Sequence, residues 1–528
     1  MSERYEVLFD IMTGLEILVR IHSGSHRVLR RYLTPFYGIA LGLALVLLFS
    51  ACDRKEAVKP GSVAVIQGTV LAQTASPAPG STQANINNIP TSLPAIPPTP
   101  DERTPSTLGV TTAELRGLQV NLWHPWTGAT GAVLQAILDE FNRTNKWGIT
   151  VQASAYEGFG RLDEAVESAI ISDTLPDVLV DYSSQARHWD GSGVVTDLTP
   201  YVNDPVWGLT SDEQADFYPG FWTEDLVTAR DVRQTRRLGI PFYRSAYVLF
   251  YNQSWARELG YPNPSITLED FRVRACAAAE SVTKQGNKSS LGKGGWLISS
   301  QPGALIGWIY AFGGEITNPD SAGYRFNTAE TRQAFEYLKG LQESGCAWSE
   351  TGADVQKELA NRQALFVVGS LFDIPAQREA FTQAGSVDEW MVIRFPSNNH
   401  PVVDTYGPSL LITSSTPAQQ LAAWLVVEWL VYPPNQAKWV KEIKAYPTRL
   451  SSLNYLNEAA SANPQWAEAL NLLPDSHSEP TLASWSVVRW TLEDAAAQLF
   501  NLQFSADQIP SLLVNLDRVA AEIFSQVR

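Results

Sequence analysis

Apolar positions in the middle of the chain switch between two periods. Leu118, Val120 and Leu122 fall on alternate positions, as on one face of a half-buried strand. Leu134, Ile137, Leu138 and Phe141 then recur at helical spacing, ending at the breaker Asn142–Asn145. Ile149, Val151 and Ala153 alternate again, and Leu162, Ala165, Val166, Ala169 and Ile170 form a second helical stripe. Asp177-Val-Leu-Val-Asp181 is a short continuous apolar run of the kind covered on both faces of a parallel sheet. The order predicts a βαβαβ unit with a mostly parallel sheet and right-handed crossovers.

A second block starts near Ile240-Pro241. Val248–Tyr251 and Ala364–Val368 read as buried strands, the latter ending at Gly369. Helices are predicted from about Leu268, carrying Cys276, and from the cap Asn327-Thr328 to Gly345. A third starts at Thr416, with Pro417 at its first position and Gln419 completing a capping box. Its stripe is Leu421, Ala422, Leu425, Val426 and Trp429. From about Pro464 the chain reads as helical with aromatic insertions.

The N-terminal fifth is different. Three arginines (Arg27, Arg30, Arg31) precede an apolar run from Ile39 to Phe49, then Ser50, Ala51 and Cys52. That run is short for a membrane span and suits a secretion signal. It looks like a bacterial lipoprotein signal over 1–52, with Cys52 lipidated, although the usual leucine three before the cysteine is Phe49. The alternative is an uncleaved anchor helix. Either way, the rest is expected outside the cytoplasm, held at the outer face of the cell membrane. Residues 53–115 alternate proline with Ser, Thr, Ala and Gly, the composition of an extended tether. Only Val63–Val70 offers a short strand within it.

Composition narrows the partners. A formal net charge of −16 disfavours nucleic acid and anionic membrane surfaces, which need a positive field. Charged residues are sparse at 18%, whereas 17 tryptophans supply stacking surface. With Cys52 lipidated, Cys276 and Cys346 remain, and an oxidising compartment predicts that they pair.

Signatures of catalysis are missing from the pattern. There is no nucleophile elbow, zinc-protease helix or phosphate-binding loop, and the histidines show no metal-ligand spacing. No cofactor or metal is expected. Gly158-Phe-Gly160 reads as a turn rather than a dinucleotide fingerprint. Asp177 and Asp181 flank one strand and keep a glycoside hydrolase open as an alternative. Aromatic residues instead cluster after strands: Trp123, His124 and Trp126 after the first, Tyr156 after the second, and Tyr182, with the hydroxyl of Ser183 beside it as a further candidate, after the third. Ligands of parallel α/β sheets sit beyond such strand ends, and sugar faces stack on aromatic rings.

Seven segments, in order, carry a resemblance: Leu122-Trp-His-Pro-Trp126, Leu175-Pro-Asp-Val178, Ile240-Pro-Phe-Tyr-Arg-Ser245, Val248-Leu-Phe-Tyr-Asn252, Phe312-Gly-Gly314, Ala364-Leu-Phe-Val-Val-Gly-Ser370 and Tyr406-Gly-Pro-Ser409. Over about 117–528 the chain resembles the extracellular solute-binding proteins of ABC transporters, the maltose and glycerol-3-phosphate binders. The resemblance implies a periplasmic-binding-protein type II-like α/β fold, with two lobes, a hinge and a ligand cleft. Lobe 1 would take 116–243 and 408–445, and lobe 2 would take 244–407 and 446–528. Crossings are expected near 243–247, 405–408 and 446–449. That makes Arg244, Ser245, Tyr406, Gly407, Tyr446 and Arg449 ligand candidates, with an interlobe salt bridge as the other role for Arg244. Gly369 and Ser370 match a turn that approaches ligand, and Phe372 falls where a stacking aromatic lies. Trp308 and Trp485 are second-lobe stacking candidates, and Trp296 could replace Trp308. The implied function is that of a monomeric, lipid-anchored receptor. It closes on a carbohydrate and delivers it to permease subunits without bond chemistry. A phosphorylated polyol such as glycerol-3-phosphate is the alternative ligand, favoured if two arginines reach the cleft.

Overall fold

The computed structural model describes residues 105–527 apart from 229–234, 265–266, 285–292, 321 and 351. The signal, Cys52, the Val63–Val70 segment and most of the expected tether lie outside the described residues. The last stretch assigned to the tether is docked. Ser106 Oγ, Thr107 N and Thr107 Oγ1 all donate to Asp204 Oδ2, at 3.0, 2.7 and 2.9 Å. Val110 and Leu115 are buried in the core. The proline-based boundary therefore ran too far, because two apolar residues separated by polar ones carry no period to read.

Two sheets organise the body. The first runs Thr150–Ala155, Gln119–His124, Val178–Asp181, Ser409–Ile412 and Ile240–Pro241. Its first three strands are parallel, in the register Val120 to Val151 and Leu122 to Val178. Helices Gly128–Thr144 and Phe159–Ser172 bury the stripes read from sequence: Leu134, Ile137, Leu138 and Phe141 in one, Leu162, Val166 and Ala169 in the other. Gly158 turns the chain into the second of these at φ +86°, a conformation that side chains resist. It is a turn, as expected.

The second sheet runs Ser476–Ser478, Val403–Tyr406, Tyr243–Asn252, Ala364–Ser370, Gly294–Leu297 and Ala347–Trp348. Its long strand, Tyr243–Asn252, is antiparallel to every partner it has. The first sheet departs from the mostly parallel expectation at Ser409–Ile412, which is antiparallel to both its neighbours, and the second is mixed about Tyr243–Asn252. The strand is reached by crossing from the other lobe, not by a helix returning over the same sheet, so nothing imposes a parallel direction on it.

The crossings lie side by side. Phe242 N donates to Pro408 O at 3.1 Å, Tyr446 pairs with Arg244, and Pro447 pairs with Tyr243. A Cβ on Gly407 would stand 2.3 Å from Tyr243 O, so only glycine fits there. Its small size serves this backbone contact.

The helix Pro417–Val431 differs from its reading in two ways. Its cap forms, with Thr416 Oγ1 accepting from Gln419 N, but the Gln419 side chain reaches Gln119 O at 2.6 Å instead of closing the box. It is also buried around most of its circumference, Ala423, Trp424 and Val427 included, because the first sheet and helices Gly128–Thr144 and Pro433–Ile443 enclose it. Cys276 and Cys346 are joined by a disulfide that ties helix Leu268–Lys284 to the edge of the second sheet.

Candidate functional site

The two lobes touch. Helix Ser183–Asp190 of the first packs against helix Trp485–Leu499 of the second, and helix Pro219–Glu224 packs against Ser476–Ser478. Between them stand half-buried aromatic rings from both sides. On the first lobe, Trp123 meets Tyr156 with ring centroids 5.0 Å apart, and Tyr182 meets Phe159 at 4.6 Å. Trp126 lies in a cluster at the crossings, 5.9 Å from Tyr243 and 4.7 Å from Trp439. On the second lobe, Tyr247 and Tyr406 are 5.0 Å apart, and Phe372 sets its edge to Tyr406 at 6.3 Å and to Tyr243 at 5.9 Å. Phe372 is 36% exposed, unusual for a phenylalanine beside two other rings.

Strand register explains the second-lobe wall. Antiparallel pairing sets Tyr406 opposite Ser245 and Asp404 opposite Tyr247, so these four share one face. Ser370 joins them opposite Tyr247.

One polar group reaches this wall from the C-terminal block. Arg489 forms a two-pronged ion pair with Glu479, Nε to Oε2 at 2.8 Å and Nη2 to Oε1 at 3.0 Å, and Nη2 also approaches Tyr247 OH at 3.5 Å. Burial alone would lower the guanidinium, but the Glu479 carboxylate holds it protonated above its usual value. Tyr182 lies within electrostatic reach. Burial pushes its phenol well up, with Tyr243, Arg489, Glu479 and Tyr247 also acting on it. Asp404 is fully buried, its two carboxylate oxygens unpartnered among the described residues. Burial, then Glu479, pushes it well above the carboxylate range, and Arg489 pulls it back.

Several residues nominated from sequence are placed elsewhere. Arg244 is wholly buried, bound to Glu224 at 2.7 Å and donating to Tyr243 O and Pro408 O, both at 2.8 Å. Ser478 Oγ donates to the same Glu224 from the second lobe at 2.5 Å. Arg244 therefore ties the crossings together, and its guanidinium is consumed. Arg449 is likewise bound to Asp216 at 2.6 Å over the ring of Phe217. Tyr446 has no exposure and donates to Ala469 O at 2.8 Å. Ser183 donates to Asp225 Oδ1 at 2.6 Å. Trp308 is 1% exposed among Phe271, Trp296, Tyr337 and Phe395, so it and Trp296 are second-lobe core. Trp485 is buried as well, stacked on Tyr324, with Nε1 donating to Glu479 Oε2 at 2.8 Å.

Three more have local roles. A Cβ on Gly369 would meet the Phe250 ring at 2.6 Å, so its smallness serves packing. Ser370 Oγ donates to Asp373 Oδ2 at 3.0 Å in a capping box. His124 is buried, stacks on Trp126 and accepts from its backbone N–H at 3.3 Å. Burial pushes it down to about 4, so the imidazole is neutral and acts as an acceptor that holds Trp126.

Asp177 and Asp181 do not form a catalytic pair. Asp177 accepts from Asn121 N at 2.7 Å, whereas Asp181 is buried against Asp163. Burial and then the Asp163 carboxylate push Asp181 well up, as two adjacent acids sharing a proton require.

Phe159, Tyr243, Tyr247, Glu479 and Arg489 were not nominated. Arg489 had a signal: it lies four residues after Trp485, on the same helical face. Tyr247 alternates with Ser245 and shares its face of the strand.

A family model described as bacterial extracellular solute-binding protein matches residues 136–469. Curated binding proteins of Brucella abortus and Brucella suis are 20% identical over 306 residues, covering 57% of this chain and 70% of each relative. Solved structures with the same fold include the cyclic α-maltosyl-1,6-maltose binding protein of Arthrobacter globiformis, at TM-score 0.65 and 18% identity, covering 78% of this chain and 99% of that one. The sugar-binding protein MalE of Xanthomonas citri gives TM-score 0.65 at 20% identity, covering 77% and 98%. UgpB of Mycobacterium tuberculosis, in complex with glycerophosphocholine, gives 0.60 at 16% identity, covering 77% and 98%.

Proposed function

The chain belongs to the bacterial extracellular solute-binding proteins, and on that premise we propose that it captures a carbohydrate in the interlobe cleft and delivers it to an ABC permease. The observation that carries this reading is the pair of aromatic walls, with Trp123, Tyr156 and Tyr182 on one lobe and Tyr247, Tyr406 and Phe372 on the other. Such rings offer flat apolar faces with polar tips, matching the two faces of a pyranose and its hydroxyls. Ligand touching both walls is held only when the lobes close, so binding shifts the population toward the closed form. The reading includes no bond-making step.

Export and anchoring follow from the signal-like segment ending at Cys52, with a single receptor copy held at the outer face of the membrane. No described helix is long and apolar enough to cross a membrane.

The phosphorylated-polyol alternative loses its support. Two arginines in the cleft would favour it, and both Arg244 and Arg449 are locked in buried ion pairs. The glycosidase alternative loses its carboxylate pair, since Asp181 is buried against Asp163.

A thermal-shift screen of the full chain tests the reading. Maltose, maltotriose, α-D-tagatose and glycerol 3-phosphate are natural first probes. A ligand at 100 times its Kd raises stability by about 2.7 kcal/mol. A midpoint raised by at least one sugar is expected. Cleavage of an oligosaccharide, with no sugar moving the midpoint, would overturn it.

A further inference from the structure

Arg489 has the composition of an anion receptor but not its electrostatics. Its Nε and Nη2 are spent on Glu479, while Nη1 donates to no described residue. Its side chain keeps 17% exposure, beside the half-buried rings of Tyr247 and Tyr182. One donor edge of the guanidinium is therefore left over at the cleft. Glu479 is held in turn by Trp485 Nε1 at 2.8 Å, so both carboxylate oxygens are occupied by protein donors. The geometry makes Glu479 a positioning residue, because the ion pair and the indole fix it where it cancels the arginine's charge.

A second acid stands close by. Asp404 is on the strand face shared with Tyr247 and Tyr406, with no exposure and no hydrogen-bond partner for either oxygen among the described residues. The groups around it are Tyr247 on one neighbouring strand, Tyr310 on helix Pro302–Ala311, Glu479 and Arg489 from the C-terminal block, and, on the other neighbouring strand, its register partner His477, which is paired with the Glu315 carboxylate at 3.0 Å. Arg489 stands against Glu479 and Asp404, and the His477–Glu315 pair adds no net positive charge, so the charge here is zero or negative whichever way Asp404 titrates. Around the Asp181 strand end, the Asp163–Asp181 pair adds no positive charge.

Resting on the carbohydrate reading above, we infer that Glu479, backed by Asp404, sets the ligand class. The cleft takes an uncharged polyhydroxylated ligand whose oxygens accept from Arg489 Nη1, and it rejects the phosphorylated or carboxylated analogue. The warrant is that an anion placed at Nη1 also meets Glu479, and unpaired like charges repel strongly in a partly desolvated site. A neutral hydroxyl meets no such repulsion. Selectivity here is built by the repulsive element as much as by the attractive one.

The test is calorimetric titration of the full-length wild type and Glu479→Gln with maltose, maltotriose, α-D-tagatose, glucuronate, glycerol 3-phosphate and inorganic phosphate. The readout is the ratio of anion to neutral-sugar affinity, which a purely structural loss would not move. The wild type is expected to bind a neutral sugar at least about a hundredfold more tightly than any anion. Glu479→Gln is expected to raise the ratio at least tenfold, about 1.4 kcal/mol. An unchanged ratio in the variant, or a wild type that prefers an anion, overturns this inference and leaves the solute-binding reading standing. A wild type that binds none of the six removes both. If the variant does not fold, the wild-type ratio alone decides.

Discussion

At the scale of single residues, exposure separates ligand candidates from core. Phe372 and Trp308 were nominated alike, yet one is 36% exposed at the cleft and the other 1% exposed among four rings. Their alanine variants should therefore fail in opposite ways. Phe372→Ala is expected to weaken the best sugar about tenfold and leave the ligand-free melting midpoint within about 1 °C, since half-exposed rings contribute little to folding and about 1–2 kcal/mol as stacking surfaces. Trp308→Ala should cost about 3–5 kcal/mol of stability by emptying a packed site. Equal effects of the two on both measurements would refute the distinction. Sequence could not make it, because a tryptophan at helical spacing looks the same whether its face meets a sheet or a sugar. It nominated both arginines for the same reason: Arg244 and Arg449 are near the crossings, but their partners Glu224 and Asp216 are 20 and 233 residues away. What sequence does carry is strand-end position. Trp123, Tyr156 and Tyr182 follow from period alone, and each is half-buried where the first sheet ends.

At the scale of elements, the first lobe was legible and the second less so. Three parallel strands with intervening helices obey one repeating period, so Val178–Asp181 and its two predecessors fall within a residue or two of their readings. The second sheet draws its strands from distant segments, some only two or three residues long, such as Ala347–Trp348 and Ser476–Ser478. Such pieces are too short to show alternation, and they exist because Val403–Tyr406 and Gly294–Leu297 offer edges to them. The disulfide staples one of these edges. It joins Cys276, in helix Leu268–Lys284, to Cys346, immediately before Ala347–Trp348, across a separation of 70 residues. Closing a loop of that length restricts the unfolded chain by about 4 kcal/mol in the entropy model. The Cys276→Ser, Cys346→Ser double variant should thus unfold at lower urea concentration by about 2–4 kcal/mol. Its sugar affinity should stay within about twofold, because the bridge is on the opposite edge of the sheet from Val403–Tyr406. A tenfold affinity loss would mean that the bridge shapes the cleft.

At the scale of the whole molecule, the acidity of the chain extends into its interior. Burial pushes Asp181, Asp404 and Glu428 well above the carboxylate range and Glu468 up to about 7. In the unfolded chain these acids titrate near 4 to 4.5. Between those values and their folded ones, the native state binds more protons than the unfolded state, so stability falls as pH rises. His124 works the other way. Its folded value, pushed down to about 4 by burial, costs stability as pH falls from 6.5 toward 4. Its opposing contribution fades over about one pH unit above 6.5, as the unfolded imidazole loses its proton. Glu468, pushed up to about 7, places its share of the acid slope near that pH, and calorimetry of the ligand-free protein should show a melting midpoint that drops between pH 7 and 8. Glu468→Gln should flatten part of that slope, its share lying near pH 7, and leave the remainder to the other three. A midpoint that climbs between pH 7 and 8 would mean that these carboxylates are ionised in the native protein and solvated by water. The Glu479–Arg489 pair would then face a wetter cleft, and the charge argument for rejecting anions would weaken with it.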